Sequence, residues 1–248
     1  MLMRMKGHNG YRPCRMCNIT GVIPPGGRVY YVPLDRSMHP SVTSNSNNSI
    51  IKKYHPLNLP LRTPSEFSQH SFEVQSANSI HQSDELSRIY GIKGVSAFSQ
   101  LSSISFPRSF PHDFMHMVFE NNLENLILHW TGRFKDLGAG MRSYEFKKGV
   151  WDAIGAATSA SGSTIPSCFG PNPPDVANNK QATTADSWCF WLLYIGPVVL
   201  REQLPEEEFT HFLQFSKLVE LCLQFKYTCE EVRKIRYGFA NWVYKYEE

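Results

Sequence analysis

Residues 112–132 read HDFMHMVFENNLENLILHWTG, and their period decides the fold class. Met115, Phe119, Leu123, Leu126, Ile127 and Trp130 recur at steps of three and four, which places them on one helix face and predicts that face buried. Thr131-Gly132 then supplies a stop. The same period returns three times toward the C-terminus. A second helix is predicted to open near Thr183-Thr184 and to bury Trp188, Trp191, Leu192 and Ile195, until Pro197 kinks or ends it. A third runs through Phe209, Phe212, Leu213 and Leu221. A fourth starts at a capping box, Thr228-x-x-Glu231, and carries Val232, Ile235, Phe239, Trp242 and Val243 on one side. Between these helices, residues 155–182 are rich in Gly, Pro, Ser and Asn and read as irregular.

Toward the N-terminus the texture changes. Residues 37–85 are polar and Ser/Asn-rich with no sustained period, and predict a loop or insertion followed by one weak helix. Residues 1–36 hold a C-x2-C pair, a turn at Pro24-Pro25-Gly26-Gly27 and the strand-like run Arg28-Val-Tyr-Tyr-Val-Pro33. The expected organisation is therefore 1–36, 37–85 and 86–248, in a mainly α protein with a few short strands. Both ends read as cut: the chain starts a dozen residues before the cysteine pair, and the last helix has no terminal cap.

Composition limits the function classes. A length of 248 residues, at about 150 per domain, suggests one large domain or two small ones. Lys plus Arg is 25 and Asp plus Glu is 22, so the net charge of +3 provides no strongly basic field. Charged residues are 19% of the chain against a usual ~25%, which suggests a piece that packs against something else. The longest apolar run, Trp188 to Leu200, falls well short of the ~20 residues a membrane span needs. The N-terminus turns polar after five residues, with no secretory signal, so the six cysteines are expected as thiols in a reducing compartment.

Three constellations carry chemistry. Cys14 and Cys17, three residues apart, can both ligate one Zn²⁺ at about 2.3 Å, with Arg12 and Arg15 favouring the thiolates. The pair could equally be a redox pair or two small residues in a turn. His112 and His116, spaced i and i+4, would place two imidazoles one turn apart on one helix face, a spacing that suits a single metal. Alternatively, His112 caps the helix start and His116 is a core residue. Two Cys and two His would close a tetrahedral structural site, and His8 is a substitute ligand. Glu120 and Glu124 continue the histidine face, and Asp186 lies in the first turn of the tryptophan helix. These acids suit catalytic Mg²⁺ only if they converge with others. Otherwise they are a solvated face and a complement to a helix dipole. Basic residues (Lys52, Lys53, Arg142, Lys147, Lys148, Arg233, Lys234, Arg236) are scattered, and Trp188, Trp191 and Trp242 read as core rather than as a base-stacking platform. No nucleotide-binding or nucleophile-elbow motif is present.

The order of short blocks resembles fungal DNA transposases of the CACTA (En/Spm) type. The blocks begin with Gly7-His8-x5-Cys14-Arg-x-Cys17, Tyr30-Tyr31-Val32-Pro33-Leu34, Leu59-Pro-Leu-Arg62 and Gly91-Ile-Lys-Gly94. They continue with Phe110-Pro-His-Asp-Phe-Met-His116, Glu120-Asn121, His129-Trp-Thr-Gly132, Ser163-Thr-Ile-Pro-Ser167-x-Phe169-Gly170, Thr184-Ala-Asp-Ser-Trp188 and Trp191-Leu-Leu-Tyr-x-Gly-Pro197. The likeness covers nearly the whole chain. It implies cut-and-paste transposition by an RNase H-like nuclease, in which three acids hold two Mg²⁺ for attack on phosphodiesters. It also implies that Cys14, Cys17, His112 and His116 share a structural zinc inside a helical insertion, followed by the C-terminal helices of the RNase H-like domain. The implied partners are DNA at transposon ends and a second copy or a partner transposase subunit, with nuclear localisation and no membrane. The third acid falls on Asp186, where relatives commonly carry Glu, with Glu120 as the substitute. The family's second acid precedes the Cys pair by about twenty residues, whereas residues 1–13 contain no Asp or Glu. The expectation is a transposase fragment that does not cleave or join DNA by itself. Two other readings stand beside it: a non-catalytic zinc-stabilised module that binds DNA or a transposase partner, and a plain helical interaction protein without metal.

Overall fold

The computed structural model describes residues 2–7, 10–23, 30–43, 50–134 and 142–247. Among these the chain is mainly helical, and its β structure is limited to four isolated antiparallel bridges. The chain divides into two compact units. The first comprises residues 1–111 with 243–248, and the second residues 112–242.

The first unit is built from loops pinned at single points. Its bridges pair Met5 with Ile92, Cys17 with Leu61, Val22 with Tyr31, and Asp35 with Lys53. Its helices are α1 (Pro40–Thr43), α2 (Pro64–Gln75) and α3 (Ile80–Tyr90). The stretch read as loop plus one weak helix thus contains α2 and the start of α3, each with local start signals. Thr63 and Glu66 form a capping box with Pro64 at the first helical position, and Ser79 caps α3 by accepting from the Gln82 N–H. The core is small: Met3, Met5, Phe67, Ile92 and Phe106, with Phe67 stacked on Phe106 at 5.2 Å. The Pro24–Gly27 turn, the Arg28-Val29 start of the strand-like run and residues 44–49 lie outside the described residues.

The second unit follows the helical period. A π-helical stretch, His116–Leu123, runs into α4 (Glu124–Trp130), and Phe119, Leu123, Leu126, Ile127 and Trp130 are buried as their spacing requires. Thr131 caps α4 and Gly132 follows at φ 65°, as the stop signal predicts. Met115 is the exception at 40% exposed, because the wider π turn following it rotates the apolar stripe off a strict 3.6-residue period. α5 (Val150–Ser161) extends seven residues into the segment read as irregular. Its Gly155 has no room for a Cβ, which would overlap Asp175 and Ala177, so the small-residue composition reflects close packing and not a loop.

Thr184 caps α6 (Ala185–Phe190), which continues as a π stretch, Trp191–Ile195, and ends as α7 (Gly196–Val199). Pro197 has no N–H for the preceding turn, and the chain widens to a π turn just before it. Trp188, Trp191, Leu192 and Ile195 are all buried. α8 (Glu206–Cys222) buries Phe212, Phe215, Leu218 and Val219. α9 (Cys229–Glu247) begins at the predicted capping box: the Thr228 N–H donates to Glu231 at 2.7 Å, and the Glu231 N–H donates to Thr228 Oγ1 at 3.2 Å. Trp242 is buried on that helix, whereas Val232, expected on the same face, is 54% exposed. Inside the second unit, α6 packs on the 116–123 stretch and α8 on the 191–195 stretch. The Trp191 Nε1–H is satisfied by Thr158 Oγ1 at 3.1 Å.

Candidate metal site

The Cys14–Cys17 loop belongs to the first unit and is fixed from below by residues 60–62. The Asn18 N–H donates to the Pro60 carbonyl at 2.7 Å, and the Arg62 N–H donates to the Met16 carbonyl at 2.9 Å. Gly91, in a left-handed conformation at the end of α3, lies so close to the Arg12 backbone that any side chain there would overlap its carbonyl. Within the loop, the Met16 N–H points at Cys14 Sγ (3.4 Å) and the Ile19 N–H at the Cys17 sulfur. Cys17 is buried and Cys14 half-buried. The Cys17 thiol is pushed far above its ordinary range, first by its hydrogen bond with Cys14 and then by burial. All six cysteines are thiols.

Beneath the loop lies Arg62, 4% exposed. Its Nε donates to the Cys14 carbonyl at 3.1 Å, while Nη1 and Nη2 have no partner. Burial, and Arg12 nearby, make its charge costlier than usual; Cys14, Glu66 and Cys17 act the other way. Arg12 Nε, Asn18 Oδ1, Arg36 Nε and His70 Nδ1 are also buried without partners. Sequence reading placed Arg12 beside the thiols but missed Arg62. The only signal is a cation closing the otherwise apolar Leu59-Pro-Leu run, which does not by itself distinguish a buried arginine from a surface one.

The histidine pair belongs to the second unit. His112 is exposed and precedes the helix, which corrects the expectation of two imidazoles on one helix face. The physical reason is Asp113, which takes the cap position by accepting from the His116 N–H at 3.2 Å, so the first turn begins after it. His116 is exposed rather than core. Its Nδ1 lies 2.8 Å from Asp113 Oδ2 and its Nε2 lies 3.3 Å from Glu120 Oε2. These two acids, Asp113 foremost, raise the imidazole pKa. His8 lies outside the described residues.

Of the two candidate acids, Asp186 is exposed in the first turn of α6, and Glu120 is occupied with His116. α6 packs on the stretch that carries Glu120, so both acids lie on neighbouring elements of the second unit. Among the described residues, no group of three or more His, Cys, Asp or Glu side chains could hold a metal ion. The structure therefore brings together the two thiols in one unit, and His116 with its two acids in the other.

Elsewhere in the second unit, Arg133, Lys147 and Lys148 line a cleft of about 280 Å³ at the start of α5, together with Asp152. Three other predicted cations are paired within their own units: Lys53 with Asp35, Arg142 with Glu145, and Lys234 with Glu230. Among the described residues no helix is long and apolar enough to cross a membrane. These features define a mainly helical, two-unit protein carrying a thiol knuckle. No protein-family model, curated protein or solved structure matches the chain.

Proposed function

We propose that this chain is a transposase-derived segment of the CACTA type, with a zinc-stabilised helical insertion and the closing helices of an RNase H-like domain. The observation that supports this reading most is the Cys14–Cys17 knuckle, anchored at Met16 and Asn18 on residues 60–62, with an N–H aimed at each sulfur and a buried arginine beneath. In this reading Cys14 and Cys17 hold zinc with His112 and His116. Arg15, between the two cysteines, donates to the carbonyl of Pro111, the chain neighbour of His112. Asp113 on Nδ1 of His116 is the outer carboxylate that orients a ligating imidazole, and Glu120 gives up Nε2 to the metal. The zinc supplies a closed structural cross-link. Asp186, or Glu120 in its place, serves as one of three acids for Mg²⁺, and transposon-end DNA is the substrate. With a single candidate acid of that set, the 248-residue polypeptide does not cleave DNA alone.

The test is the transcript upstream of codon 1, together with nicking of plasmid DNA by the longer product. The expected result is an in-frame extension with two Asp residues, the nearer about twenty residues before Cys14, and Mg²⁺-dependent nicking abolished by Asp186→Ala. A longer chain without such acids, or nicking indifferent to both Asp186→Ala and Glu120→Ala, contradicts the reading.

The cleft bearing Arg133, Lys147 and Lys148 favours a second reading, a non-catalytic module that follows a DNA backbone. It predicts salt-sensitive, sequence-indifferent DNA binding that the double variant Lys147→Ala/Lys148→Ala weakens.

A further inference from the structure

Cys14 and Cys17 are neighbours with unequal access. Cys17 is 3% exposed and is held by an antiparallel bridge to Leu61, whereas Cys14 is half-buried in the same loop. The two side chains are in contact, since the Cys17 thiol hydrogen-bonds Cys14. The Met16 N–H is aimed at Cys14 Sγ from 3.4 Å, so two donors converge on the more accessible sulfur. The backbone that carries both residues is fixed. Arg62 Nε donates to the Cys14 carbonyl at 3.1 Å, the Arg62 N–H to the Met16 carbonyl at 2.9 Å, and the Asn18 N–H to the Pro60 carbonyl at 2.7 Å.

Two thiols that the fold already holds together lose little further chain entropy when they join, so the second step of an oxidation is intramolecular. In thiol–disulfide exchange, the sulfur that solvent and reagent reach attacks first, and a covered neighbour resolves the mixed disulfide. We propose that Cys14 and Cys17 form a reversible dithiol–disulfide switch toward small-molecule disulfides of the glutathione class, with Cys14 attacking and Cys17 resolving. Cys14 gives up its proton to solvent, and its sulfur attacks one sulfur of oxidised glutathione. That S–S bond breaks, and the first glutathione leaves as a thiolate that takes up a proton. Cys17 gives up its proton in turn and attacks Cys14 Sγ, and the second glutathione leaves in the same way. The pair is thereby oxidised by two electrons while one disulfide is reduced to two thiols, and excess reduced glutathione reverses both steps. The step needs two sulfurs and no third group, so it stands apart from the zinc reading.

The experiment treats the full chain with oxidised glutathione in a buffer containing a metal chelator, for wild type, Cys14→Ser and Cys17→Ser. Remaining thiols are alkylated and the peptides mapped by mass spectrometry, which separates the pair from the exposed Cys168 and Cys229. Wild type is expected to form a Cys14–Cys17 disulfide that reduced glutathione reopens. Cys17→Ser should stall as a glutathione adduct on Cys14, formed about tenfold faster than the adduct on Cys17 in Cys14→Ser, because access differs. Adducts confined to Cys168 and Cys229 would overturn the proposal, as would a Cys14→Ser variant that reacts as fast as Cys17→Ser. Should the variants fail to fold, the wild-type time course decides: the Cys14 adduct precedes the internal disulfide, and an adduct that appears first on Cys17 would overturn the proposal. With metal chelated throughout, none of these outcomes depends on the zinc reading, which zinc content tests separately.

Discussion

The two units solve the same problem by opposite means. The second satisfies its backbone inside helices and fills its interior with rings, so that Trp191 meets Trp151, Trp188 and Phe212 edge-on at about 6 Å. The first has long loops, and its buried carbonyls need donors from side chains. Among the described residues eight polar or charged ones are buried, and six lie in the first unit: Thr20, Arg36, Arg62 and Ser96 outside its α-helices, Ser71 on α2 and Ser87 on α3. The other two are Thr158 and Ser216 in the second unit, each in a hydrogen bond. A helical period therefore makes an apolar core cheap to build, whereas a loop-built core must bury polar groups and can place them beside a site.

Breaking that difference should have its largest effect at Trp191. Trp191→Ala removes a fully buried ring at the centre of the aromatic cluster and should cost about 3–5 kcal/mol, read as a fall in the denaturant midpoint of the second unit's tryptophan fluorescence. Next is Thr158→Val, which keeps the shape but strands the Trp191 N–H. It should cost about 1–3 kcal/mol in the same measurement, and a neutral result would mean that the bond contributes little. The helix starts sharpen the comparison, since both units use the same cap. Thr63→Ala in the first unit and Thr228→Ala in the second should each cost about 1 kcal/mol, with loss of helical circular dichroism at lower denaturant. The smallest effect is electrostatic and exposed. Lys53 holds the Asp35 carboxyl down at about 2, so the pair's contribution is full above the ordinary carboxylate range and disappears as pH falls toward 2. In Lys53→Met the Asp35 carboxyl should titrate at higher pH, measured by NMR.

How legible each unit was follows from the same contrast. Phe119, Leu123, Trp188, Trp191 and Trp242 announce their burial by spacing, because a helix repeats its environment every three to four residues. Period failed at Met115, where the backbone widens to a π turn, and at residues 155–161, where Gly and Ala serve close packing. In the first unit nothing repeats. The cap Thr63-Pro-Ser-Glu66 was readable but stood in a polar stretch that masked it. The thiol pair was legible as a pair because spacing alone sets its chemistry. Arg62 was not, since its role depends on burial that only the tertiary structure provides. The histidines show the limit of spacing: i and i+4 places two residues on one face only if both are helical, and Asp113 starts the helix between them.

The central proposal is that Cys14, Cys17, His112 and His116 bind a zinc ion. It is tested most directly by zinc per polypeptide in the purified chain, comparing wild type with Cys14→Ser/Cys17→Ser and His112→Ala/His116→Ala. The account predicts about one zinc in wild type, lost in both double variants. A folded wild type without zinc, or zinc that survives the histidine substitutions, would contradict it.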